Sequence, residues 1–180
     1  MSGFSLKPFF ADLYQECPSA DYTQAKKRLK IDGDGQSLKV GLGLGKLKSC
    51  DFLTAKAGVY QFIEISDLKA QYQSLQTRAK QLKKYLTTKE LKTCFYPKEV
   101  IAREFREKYL HTLLILDGLE KAYALRTRPK KQFLIVLCES DATDVMAFQF
   151  LVSKLSPCLD GLVDKVEVLS ILDLKNRLSS

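Results

Sequence analysis

Lys48-Ser49-Cys50-Asp51-Phe52-Leu53-Thr54-Ala55-Lys56 and Val59-Tyr60-Gln61-Phe62-Ile63-Glu64-Ile65-Ser66, joined by Ala57-Gly58, read as two neighbouring strands. Aromatic and β-branched residues suit a pleated surface, and the glycine supplies the positive φ of a tight turn. Each predicted strand carries one acid, Asp51 on the first and Glu64 on the second. Two carboxylates so placed make a small divalent-cation site, because magnesium takes a few hard oxygen ligands and keeps several waters.

Working outward from this hairpin, residues 6–30 predict helix, broken at Pro18 and resumed from Tyr22 to Leu29. Asp32-Gly33-Asp34-Gly35 signals a turn, and residues 37–45, where Leu38, Val40, Leu42 and Leu44 alternate, predict the first strand of a meander. After Ser66 the period changes. Leu68, Tyr72, Leu75, Ala79, Leu82 and Leu86 recur at helical spacing behind Asp67, a candidate N-cap. A break spans residues 87–97. A second long helix over 98–125 then carries Ile101, Phe105, Tyr109, Leu113, Leu116 and Leu119 as its apolar stripe. Residues 133–138 are near-continuously apolar and predict a buried strand, 141–159 a helix and 165–171 a last strand. The expected order is α-β-β-β-α-α-β-α-β in a single α/β domain over residues 1–180, with residues 67–126 as a helical hairpin insertion.

This order, with Ser49-Cys50-Asp51 on the second strand and Glu64-Ile65-Ser66 on the third, resembles the PD-(D/E)XK (restriction-endonuclease-like) nuclease superfamily. That core runs α-β-β-β-α-β, with metal carboxylates on its second and third strands, and the likeness covers roughly residues 18–138. It implies a restriction-endonuclease-like core carrying an inserted basic helical hairpin and an additional C-terminal helix and strand. It further implies magnesium held by Asp51 and Glu64, with the Ile65 carbonyl as a further ligand. Glu16 is the acid expected from the first helix, with Asp21 or Asp12 behind it. The family's lysine position holds Ser66, so Lys69, Lys48 or Lys56 is expected to stand in for it. The implied catalytic set is Asp51, Glu64, Ser66 and Lys69, in magnesium-dependent endonuclease or exonuclease chemistry.

Charge points to the partner. Of the net +8, residues 68–131 carry sixteen Lys/Arg against six Asp/Glu, whereas residues 132–180 carry four against seven. So local an excess favours a polyanion, with DNA preferred among the nucleic acids. Lys80, Lys83 and Lys84 share one helical face, and Arg126, Arg128, Lys130 and Lys131 cluster around Pro129. Contacts of this kind bind phosphate without reading sequence. Arg103 and Arg106 are expected to be offset by Glu99, Glu104 and Glu107 along their own helix. Tyr72 and Tyr85 are candidate base-stacking residues whose helical spacing fits core or rim better. The alternatives are a catalytically inactive nuclease-fold subunit, or an interaction module whose basic helical surface docks an acidic protein in a larger complex.

Other classes are disfavoured. Gly41-Leu42-Gly43-Leu44-Gly45-Lys46 lacks the spacing and the hydroxyl of a P-loop, and Asp32-Gly33-Asp34-Gly35 lacks the later ligands of a calcium loop. The single histidine, His111, has no nucleophile motif around it. Five scattered cysteines without a C-x-x-C pair are expected as free thiols in a reducing cytoplasm. No apolar run approaches the roughly 18 residues of a membrane span, and neither a membrane nor a secretory signal is expected.

Overall fold

The computed structural model describes residues 5–13, 17, 27–33, 35–123, 129–138 and 142–179. Its centre is one six-stranded open sheet of mixed direction, in the order β1-β2-β3-β4-β5-β6. The strands are β1 (Phe10–Asp12), β2 (Lys27–Lys30), β3 (Phe52–Lys56), β4 (Val59–Ser66), β5 (Lys130–Leu137) and β6 (Lys165–Ser170). From β1 to β4 each strand is antiparallel to the last; β5 is parallel to β4, and β6 to β5.

The predicted hairpin forms, but its first strand begins at Phe52 rather than Lys48, so Asp51 lies just outside it. Ala57 and Gly58 have φ of 50° and 75°, the left-handed pair of a two-residue turn whose twist matches the strands it joins. Lys56 therefore pairs with Val59, and the ladder runs back to Phe52 opposite Ile63.

Upstream the structure departs from expectation. Residues 37–45 are not a strand: Leu38–Gly41 form a short helix, α1, followed by turns. Leu38 is buried while Val40 is 48% exposed, so the alternating leucines and valine do not share a face. Buried Lys39 is ion-paired with Asp32 and donates to the Leu47 carbonyl, which curls the segment into a compact loop. Gly41 lies under Phe9, where a Cβ would fall 2.4 Å from the ring. The strand that precedes β3 in the sheet is instead β2, in a segment read as helix. Residues 7–9 form a 3-10 turn that leads into β1 rather than into a helix.

Downstream the helices are α2 (Leu68–Leu82), α3 (Thr88–Cys94), α4 (Pro97–Tyr123), α5 (Ala142–Phe148), α6 (Phe150–Cys158) and α7 (Ile171–Ser179). Asp67 caps α2 by accepting from Ala70 N at 3.0 Å. The stretch expected as a break holds α3, started by a capping box of Thr87 and Glu90. The helix expected over 141–159 is two, divided at Gln149, and α7 was not anticipated.

Side chains alternating along the strands feed two cores. One gathers Leu53, Phe62, Phe133, Ile135 and Leu137 with Ile101, Phe105, Tyr109, Leu151 and Leu155 of α4 and α6. The other gathers Phe52, Ile63, Ile65, Leu134 and Val136 with Leu13, Ile171 and Leu174. Because β5 is covered on both faces, residues 133–137 are apolar without interruption. Tyr109 ties α4 to this sheet, with its ring 5.4 Å from Phe62 and 5.1 Å from Phe133 and its hydroxyl donating to the Leu162 carbonyl.

Cysteine usage also differs from expectation. Cys17 and Cys138 are joined in a disulfide, with Cα atoms 5.8 Å apart. Cys50 is a buried free thiol and Cys158 an exposed one.

Candidate functional site

Extending the β3–β4 register by one residue sets Asp51 opposite Glu64, just before β3 begins. The Asp51 carboxylate accepts from Ile65 N at 2.7 Å, and its carbonyl accepts from Ile31 N at 2.8 Å, which anchors the end of β2 beside it. The hairpin thus brings the two predicted acids together. Next to them, Asp32 accepts from Gly33 N and Ser49 N and pairs with Lys39.

Glu64 points from β4 toward α4 and is 1% exposed. Its Oε1 lies 2.5 Å from Lys108 Nζ, while its Oε2 has no hydrogen-bond partner. Burial, reinforced by the charge of Asp51, pushes the Glu64 carboxyl well above the ordinary carboxylate range, and Lys108 offsets this only in part. For Lys108, burial alone would lower the ammonium. The charges of Glu64, Asp51 and Glu104 and the Glu64 hydrogen bond outweigh it and hold Lys108 protonated. Burial, then the charge of Glu64, likewise raises Cys50 and keeps its thiol neutral.

Lys108 is the residue that sequence reasoning missed. It projects from the middle of α4, 44 residues from Glu64 in the chain. Thr112, one turn on, fixes the helix to the hairpin: its hydroxyl donates to the Lys108 carbonyl at 2.7 Å and accepts from Cys50 N at 2.8 Å. Glu104, one turn back, lies 3.9 Å from the Lys108 amine and accepts from Gln71 of α2. Glu104, Lys108 and Thr112 form an i, i+4, i+8 polar line beside the apolar stripe, the one sequence signal available for this contact.

The anticipated stand-ins are engaged elsewhere. Lys69 pairs with Asp144 at 3.3 Å and Lys48 with Glu107 at 2.9 Å, while Lys56 is exposed at the far end of β3. Ser66 ends β4, half-buried, and its carbonyl accepts from Cys138 N. Glu16 and Asp21 lie outside the described residues. Among the described residues no group of three or more His, Cys, Asp or Glu is arranged to hold a metal ion.

The basic residues lie apart from the acids. Lys80, Lys83 and Lys84 are exposed at the end of α2, on the order of 18 Å along that helix from Leu68. Tyr85, expected in core or rim, is 81% exposed beside them, whereas Tyr72 packs on Phe148. Lys130 and Lys131 begin β5, on the order of 15 Å along the strands from the level of Glu64. Arg126 and Arg128 lie outside the described residues.

No helix among the described residues is long and apolar enough to cross a membrane. No family model, no curated protein and no solved structure matches the chain.

Proposed function

We propose that this chain is a nucleic-acid-binding protein of nuclease-like fold, with a magnesium-dependent phosphodiester-cleaving centre built from Asp51, Glu64 and Lys108. The observation that carries the reading is the Lys108 ammonium seated on Glu64 beside Asp51, an amine in the company of the acids although Ser66 occupies the motif's lysine position. Strands β2, β3 and β4 of the four-strand antiparallel run, a helical crossover and β5 parallel to β4 support a restriction-endonuclease-like core.

We read Asp51 and Glu64 as the carboxylates for a hydrated magnesium ion. Magnesium is commonly held by one or two carboxylates together with substrate phosphates, and Glu64 Oε2 is a buried acceptor without a donor. Asp51 and Glu64 would hold the ion. When bound it would neutralise phosphate charge and make a coordinated water more acidic. Lys108, kept charged by its surroundings, would leave Glu64 to donate to a phosphate oxygen as substrate enters. Thr112, bonded to Cys50 N, and Glu104, bonded to Gln71 of α2, hold the segment of α4 that carries it. DNA is the favoured substrate class; Lys80, Lys83 and Lys84 would follow its backbone, with Tyr85 free to stack on a base. The Cys17–Cys138 disulfide weighs against a reducing cytoplasm, where such bonds are rare.

One observation favours a second reading. Glu64 is almost fully covered, so the Glu64–Lys108 pair also suits a closed structural ion pair in an inactive, binding-only relative. The test is an end-labelled DNA strand incubated with magnesium or manganese, with chelator as control. The active reading expects metal-dependent cleavage that falls by about 10²-fold or more in Asp51→Ala and Glu64→Ala. A strand that is shifted at low salt but left intact supports the binding-only relative. Cleavage undiminished in both variants contradicts the assigned site.

A further inference from the structure

Glu99, Glu104 and Glu107 of α4 make their ion pairs with lysines rather than with its arginines, although the charge of Arg103 is felt at Glu107. Glu99 pairs with Lys154 of α6, Glu107 with Lys48 before β3, and Glu104 is taken by Gln71 and Lys108. Arg103 and Arg106 are left exposed, with no ion pair to a carboxylate among the described residues. They do not face empty surface. Together with Lys92 and Thr93 of α3 and Lys154 and Cys158 of α6, they line a cleft of about 550 Å³. Its lining holds four cations against one carboxylate, Glu99, which is itself paired.

From this arrangement we infer that the α3–α4–α6 cleft is a phosphate-binding site, separate from the Asp51–Glu64–Lys108 centre. The guanidinium fork matches phosphate oxygens two at a time, a fit that ammonium groups lack. Arg103 and Arg106 lie three residues apart and so emerge close together on α4. Thr93 adds a hydroxyl, and Leu155 with Ala102 closes the floor with apolar surface. The volume accommodates a diphosphate or one to two nucleotides of a strand. The ligand is therefore a phosphoanhydride of a small molecule or the phosphodiester backbone of a nucleic acid.

Cys158 in the wall supplies a local reporter. Its alkylation by iodoacetamide, followed peptide by peptide in a mass spectrometer, reads occupancy of the cleft whether or not the protein cleaves anything. Saturating pyrophosphate, or a short single-stranded DNA, is expected to slow modification of Cys158 by about fivefold or more. The doubly substituted Arg103→Ala/Arg106→Ala protein should lose this protection. Arg103→Lys/Arg106→Lys should retain part of it, and unchanged thermal unfolding checks that both variants are folded. Protection by pyrophosphate assigns a small phosphorylated ligand; protection by DNA alone assigns the backbone. Asp51→Ala and Glu64→Ala should leave the protection intact, which keeps this outcome separate from the cleavage assay. No protection by either probe, or equal protection without the arginines, overturns the inference.

Discussion

The start of the β3–β4 hairpin and the outer side of the helical layer treat charge in opposite ways. At the hairpin, acids sit against the sheet with cations drawn in to meet them, Lys108 on Glu64 and Lys39 on Asp32. On the helices, α4 spends its glutamates on other elements and leaves Arg103 and Arg106 exposed, while Lys80, Lys83 and Lys84 crowd the end of α2. A buried carboxylate loses solvation that water would supply and needs a partner, whereas an exposed cation is already satisfied by water. The positive excess therefore collects where an external anion can reach it.

That contrast can be broken most severely at Lys108. Lys108→Met would leave buried Glu64 without its cation and is expected to cost about 3–5 kcal/mol in urea unfolding at neutral pH. Adding Glu64→Gln should recover a large part of the loss. A single-variant cost below about 1 kcal/mol would mean that the pair is not a closed, desolvated contact.

Glu64 itself sharpens the comparison through pH. Its folded-state affinity for a proton is raised, mainly by burial, so its contribution favours folding below the ordinary glutamate range and is lost as pH rises through the raised value. Wild-type stability should therefore fall relative to Glu64→Gln as pH rises above the ordinary glutamate range, read as paired unfolding curves. Parallel curves would contradict the raised affinity.

Smaller effects belong to the supports and to the surface. Thr112→Val removes the acceptor for Cys50 N and is expected to cost about 1–2 kcal/mol, measured by the same unfolding. Replacing Lys80, Lys83 and Lys84 by alanine should move stability by no more than about 0.5 kcal/mol. It should, however, flatten the logarithmic salt dependence of single-stranded DNA binding by about 2. A large stability loss there would deny that these lysines form a solvated face.

Local signals in the sequence were legible and tertiary ones were not. Asp51 and Glu64 could be paired in advance because Ala57-Gly58 permits only a tight turn, and a tight turn fixes register. The uninterrupted run 133–137 marked a strand covered on both faces. Residues 37–45 misled because alternation is a strand signal only when one face is buried. Here the Asp32–Lys39 pair and the Gly41–Phe9 approach fold the segment into a loop. Lys27-Arg28-Leu29-Lys30 gave little sign of a strand, being mostly charged, yet it borders β3. Lys108 was hidden in a run of charges typical of a solvated helix. Only the packing of α4 on the sheet reveals which charge turns inward.

The catalytic role assigned to Lys108 is tested most directly by single-turnover cleavage of a labelled DNA strand in magnesium. Wild type, Lys108→Arg and Lys108→Met should be compared at protein concentrations where all three bind the strand. The expected order is wild type fastest, arginine intermediate and methionine slower than wild type by about 10²-fold or more. Cleavage by Lys108→Met at the wild-type rate, or no metal-dependent cleavage by any of the three, would contradict the assignment.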